Sequence, residues 1–102
     1  MKTSELTGNA LNWAVNYAEG LRGIFAPVDY SGEWEHGGPI IERERIATGF
    51  DGFDIFDSAL PIWGACKYDG GFEGYGPTPL IAAMRCYVVS KLGNDVDVPE
   101  LP

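Results

Sequence analysis

Thr78-Pro-Leu-Ile-Ala-Ala-Met-Arg-Cys-Tyr-Val-Val-Ser-Lys-Leu-Gly93 carries the clearest helix signal in the chain. Thr78 suits an N-cap and Pro79 the first helical position, where a missing N–H costs nothing. Lys91 falls in the last turn, and Gly93 stands where a helix ends. Leu80, Ile81, Met84, Val88 and Leu92 recur at three- and four-residue spacing, while Ala82, Ala83 and Cys86 leave the opposite side small and nonpolar. The pattern predicts a helix covered on more than one side.

Such a helix needs other elements around it. Towards the N-terminus, Thr7-Gly-Asn-Ala-Leu-Asn-Trp-Ala-Val-Asn-Tyr-Ala-Glu-Gly20 reads as a second helix, with Thr7 as its cap and Gly20 as the left-handed residue after its last turn. Leu11, Ala14, Val15 and Ala18 form its apolar stripe, and Trp13 and Tyr17 pair at i,i+4 beside it. The region between the helices is rich in glycine and aromatic residues. In it, Ile40–Ala47 reads as a strand, charged in the middle and suited to a sheet edge. Phe53–Phe56 and Ile62–Cys66 read as further strands bounded by Asp-Gly, Pro and Gly turn signals. The expected fold class is α+β: a small antiparallel sheet packed by two main helices, at about 8–19 and 79–92. Residues 1–102 are expected to form one domain, with the tail 94–102 either a short edge strand or loose.

Composition narrows the function. At 102 residues the chain suits one core, and 45% hydrophobic with 22% charged residues is enough apolar surface to fold. Fifteen acidic against seven basic residues give a net charge of −8, which disfavours direct nucleic-acid binding through many phosphate contacts. Cys66 and Cys86 make no disulfide framework and are expected to stay reduced. The opening Met1–Leu6 lacks the apolar run of a secretory signal, and no segment has the length of a membrane span, so the expected location is cytoplasmic.

Catalytic signals are sparse. His36 is the single histidine, expected in a loop, and nothing beside it marks an activated nucleophile. One histidine and two cysteines 20 residues apart do not suggest structural zinc, and no metal, catalytic residue or cofactor is assigned. Glu42 and Glu44 would share one strand face as paired carboxylates, which is the strongest hydrolase reading; a solvated ladder with Arg43 and Arg45 is favoured over it.

Asp69-Gly-Gly-Phe-Glu-Gly-Tyr-Gly-Pro-Thr78 lacks the lysine of a phosphate-binding P-loop. It still leads into a helix start whose N–H groups and dipole favour an anion. Thr78 would add a hydroxyl, with Arg85 two turns along; the plainer reading is that Thr78 caps its own helix and Arg85 pairs with an acidic neighbour. Phe72 and Tyr75 in this segment, with Trp13, Tyr17, Trp34 and Trp63 elsewhere, supply flat surfaces for stacking on a base, though most of them are expected in the core. The expected ligand-binding set is therefore Trp13, Tyr17, Tyr75, Gly76, Thr78 and Arg85.

MKTSELTGNALNWAV at the start, GGPIIERE over 37–44 and GPTPLIAAMRCYVVSKLG over 76–93 together resemble the NinX-like proteins of lambdoid and related phages. The resemblance implies a phage or prophage accessory protein, in a family without an established activity. Two readings stay open. One is a non-enzymatic homo-oligomer that sequesters a small anionic ligand, such as a cyclic nucleotide or cyclic ADP-ribose derivative used as an immune signal. The other is an acidic inhibitor or DNA-mimic adaptor acting on a host nucleic-acid-binding protein.

Overall fold

A computed structural model describes residues 1–21, 28–68 and 70–101. A short 3-10 turn at Thr3–Glu5 precedes α1 (Gly8–Ala18), α2 (Trp34–Glu44), β1 (Ile46–Phe53), β2 (Pro61–Lys67), β3 (Glu73–Gly76) and α3 (Pro79–Leu92). The strands form an antiparallel sheet in the order β1-β2-β3, so the fold is α+β as the sequence implies.

α3 lies at the centre. The Thr78 hydroxyl accepts from the Ile81 N–H at 3.1 Å, satisfying one of the unpaired donors of the first turn. Gly93 ends the helix at φ 86°. Leu80, Met84 and Val88 are buried, and so are Ala82, Ala83, Cys86 and Tyr87 on other sides. The helix meets all three strands as well as α1 and α2, which explains why its sequence is nonpolar nearly all round. Each large aliphatic side chain removed from water there contributes roughly 1.5–3 kcal/mol.

α1 buries Leu11, Ala14 and Val15 against the same core. Gly20 takes its left-handed turn at φ 83°. Thr7 stands at the N-cap position, but its side chain makes no capping bond.

The third helix departs from the sequence reading. Residues 40–44 belong to α2, and only Ile46 and Ala47 of the expected strand Ile40–Ala47 are extended. Gly37, Gly38 and Pro39 argue against a helix on propensity. Tertiary packing decides otherwise: Ile40 is 2% exposed in the core, and Gly37 fits where a Cβ would meet the Tyr30 carbonyl at 2.4 Å and Leu80 Cδ1 at 2.5 Å. The helix-to-strand switch then occurs in one residue, Arg45, at φ 54°.

Ile62–Cys66 is a strand as expected, within β2. Phe53–Phe56 is not, beyond Phe53. The Asp54 carboxylate accepts from the backbone N–H groups of Phe56 and Asp57, which turns the chain. In the tail, Val96 is buried and exchanges backbone hydrogen bonds with Met1, beside an isolated bridge between Lys2 and Asp95. Residues 94–96 are therefore anchored on the N-terminus and do not join the sheet.

Candidate functional site

Where β2 and β3 meet α3 and the chain ends, a cavity of about 700 Å³ opens. Its walls are mostly apolar, from Leu60, Pro61, Ile62, Tyr75, Pro77 and Val89. Its polar groups are Lys2 and Arg85 on one side of the charge balance and Asp54, Glu73 and Asp95 on the other, with Ser4 and Asn94 between.

Arg85 is held before any ligand arrives. Its Nε donates to the Leu6 carbonyl at 2.9 Å and its Nη1 to the Tyr75 carbonyl at 2.7 Å. Among the described residues it does not pair with an acidic neighbour. Partial burial pulls its pKa below the usual arginine value, yet it stays a cation at any physiological pH. Two of its five N–H donors are used by these carbonyls, so the planar fork keeps donors for a third group. The Tyr75 hydroxyl donates to Glu73 at 3.1 Å, and this carboxylate pushes the phenol pKa up.

The structure therefore brings together three of the six expected residues, Tyr75, Gly76 and Arg85. Trp13 and Tyr17 stack on each other, with ring centroids 5.1 Å apart, but are not part of the cavity wall. Thr78 is not part of it either and spends its hydroxyl on its own helix. Lys2, the Leu60–Ile62 segment, Asn94 and Asp95 were not legible as site residues. Lys2, Asn94 and Asp95 converge because the two ends of the chain pair with each other, whereas Leu60–Ile62 reach the cavity through the start of β2.

The glycines of the 69–78 segment also have a different role from the one expected. Asp69 lies outside the described residues, and Glu73–Gly76 form β3. Gly74 and Gly76 face α3: a Cβ on Gly74 would stand 2.4 Å from the Ala82 carbonyl oxygen, and one on Gly76 would stand 2.8 Å from Ile81. They are glycine because a helix lies directly on the strand.

The carboxylate-pair reading is corrected as well. Glu42 and Glu44 lie in the last turn of α2, two residues apart, where helical side chains do not face each other. Glu44 is instead the hub of an ion-pair network, 2.9 Å from Arg43 Nε, 3.0 Å from Lys67 Nζ and 3.6 Å from Lys91 Nζ. Burial alone would raise its pKa; the hydrogen bonds from Arg43 and Lys67 and the charge of Lys91 outweigh that and hold it at about 2. A second carboxylate, Glu19, binds Arg43 at 2.7 Å and accepts from the Tyr87 hydroxyl at 2.5 Å. Burial and the Glu19 contact push the Tyr87 phenol far above its ordinary value. These groups tie α1, α2, β2 and α3 together.

His36 lies in α2, not in a loop, with Nε2 3.3 Å from the Glu35 carboxylate. Both cysteines are free. Cys86 is buried against the Phe72 carbonyl, and burial raises its thiol pKa to about 11; Cys66 is exposed on the sheet. Among the described residues, no cluster of three or more His, Cys, Asp or Glu could hold a metal ion. None of the described helices is long and apolar enough to cross a membrane.

The described residues thus make a three-helix, three-stranded α+β protein whose open cavity lies where the two chain ends pair. The family described as "Bacteriophage P22, NinX" matches residues 24–91, and the chain belongs to it. The match takes in α2, the sheet and all but the last residue of α3, and leaves the opening block outside. No curated protein matches the chain.

Proposed function

We propose that this phage protein binds a small anionic ligand of nucleotide type without turning it over, in the host cytoplasm, and so withdraws a signal such as a cyclic nucleotide or cyclic ADP-ribose derivative from host defence. The observation that carries the reading is Arg85. It is a cation fixed by two backbone carbonyls, with donors to spare, beside apolar walls in a cavity of about 700 Å³. That size falls in the usual range for small-molecule sites, and one placed charge among apolar walls is their usual makeup. Tyr75 supplies an aromatic surface and is half-exposed. Two cations against three carboxylates favour a ligand with one or two phosphates and an apolar or aromatic body over a polyphosphate.

Thermal unfolding against a panel of cyclic nucleotides and cyclic ADP-ribose isomers tests this. A binder at 100 times its dissociation constant raises stability by roughly 2.7 kcal/mol. Calorimetry then locates the site: Lys2→Ala and Arg85→Ala should each weaken binding about tenfold or more, since each removes a charge-assisted contact. Ligand recovered intact by chromatography supports sequestration, whereas turnover removes it. If every panel member leaves the melting curve unchanged, the acidic-inhibitor reading gains, with the net charge of −8 as its support.

A further inference from the structure

We infer that β1 is a self-pairing edge, and that two copies of this chain join their sheets antiparallel through it, about a two-fold axis at Thr48. The inference stands independently of what the cavity binds.

β1 is one of the two sheet edges and runs eight residues, Ile46–Phe53, against four for β3 at the other edge. Natural edges are blunted by shortness, proline or lysine. Over Ile46–Phe50 β1 has none of these; its one charge and its bulge, two further devices that blunt an edge, fall together at Asp51. The Tyr68 N–H donates to the Arg45 carbonyl, and the Lys67 N–H turns the other way, to Phe72. By strand alternation the backbone groups of Ala47 and Gly49 face β2, and those of Ile46, Thr48 and Phe50 face outward. Those outward groups bond to nothing among the described residues.

Three complementarities coincide in one register. An antiparallel self-pairing centred on Thr48 sets the outward groups of Ile46 opposite those of the partner's Phe50, and Thr48 opposite the partner's Thr48, so every bonded pair matches in direction. It sets the half-exposed ring of the partner's Phe50 beside Ile46, which is itself 6% exposed in the core, so that the ring would cover the rim of that core. Arg45, the left-handed residue just before β1, and Asp51, the bulge residue, stand three residues to either side of Thr48 and flank the pairable stretch, so this register brings each Arg45 to the same end of the join as the partner's Asp51. Both side chains are exposed, and neither has an ion-pair partner among the described residues. Asp51 is the extra residue where the β1–β2 register shifts, which takes it out of the β2 ladder and ends the pairable stretch.

Sedimentation equilibrium on the full chain provides the test, with circular dichroism to confirm that each variant is folded. The wild type should be a dimer. Thr48→Pro removes an outward N–H at an edge position where proline is tolerated, and should give a monomer. Arg45→Glu and Asp51→Arg should each weaken the dimer about tenfold or more, by placing like charges opposite one another twice. The double variant Arg45→Glu/Asp51→Arg restores both pairs and should recover most of the loss. A monomeric wild type overturns the inference, as does a dimer indifferent to Thr48→Pro. A double variant no tighter than the singles overturns the register. If Thr48→Pro does not fold, the charge exchange decides alone, because both of its positions are exposed.

Discussion

Gly74 of β3 lies so close to Cys86 of α3 that a Cβ on the glycine would stand 2.5 Å from the Cys86 backbone nitrogen. Backbone cannot yield as a side-chain tip can, so strand or helix would have to move. Gly74→Ala should therefore cost about 2–3 kcal/mol, seen as a lower denaturant midpoint with unchanged slope. Gly38 makes the contrast: a Cβ there meets nothing within 4 Å. Gly38→Ala should instead stabilise α2 by roughly 0.5–1 kcal/mol. Equal effects at the two sites would show that the strand–helix approach is not the tight one.

Acid should dismantle the Glu44 network. The Glu44 carboxyl is held at about 2 in the fold, below its ordinary value of 4.5, and Glu19 is lowered chiefly by the hydrogen bond from Arg43. Groups with depressed folded values stabilise the protein above the unfolded value and lose that contribution as pH falls towards the folded one. The melting temperature should thus fall steadily as pH drops from about 4.5 to about 2. Glu44→Gln leaves the nearly buried Lys67 ammonium without its partner. The change should cost about 1–3 kcal/mol at neutral pH and flatten the acid slope. An unchanged slope in the variant would place the acid sensitivity elsewhere.

Asn16, in α1, is 2% exposed, and neither its amide nitrogen nor its oxygen has a hydrogen-bond partner among the described residues. A buried, unpaired amide costs free energy that an apolar side chain of similar size does not. Asn16→Leu should raise stability by about 1 kcal/mol, measured by urea unfolding. Its neighbour Asn12 is the control: its amide oxygen accepts from the Ser31 N–H at 2.9 Å and the Ser31 hydroxyl at 2.8 Å, and its amide nitrogen donates to Asp29 at 2.9 Å. Asn12→Leu should destabilise by about 2 kcal/mol or more. If both changes act in the same direction, satisfaction of the amide is not what separates them.

α3, α1 and β2 are legible in their residues, because each has a cap or turn residue at each end and an apolar pattern that only one period explains. Tyr75, Gly76 and Arg85 were grouped correctly, but what joins them is β3 folding back along α3, which lets Arg85 Nη1 reach the Tyr75 carbonyl at 2.7 Å. α2, by contrast, exists because of packing between distant parts of the chain. Gly37, Gly38 and Pro39 oppose a helix locally, and the burial of Ile40 together with the contact of Gly37 on Leu80 outweighs them. Glu42 and Glu44 lost their shared face for the same reason, as a two-residue spacing that aligns side chains on a strand separates them on a helix. The part of the cavity wall made by Lys2, Asn94 and Asp95 depends on hydrogen bonds between opposite ends of the chain. No local pattern encodes those bonds, because their partners are brought together only when the core between them has formed.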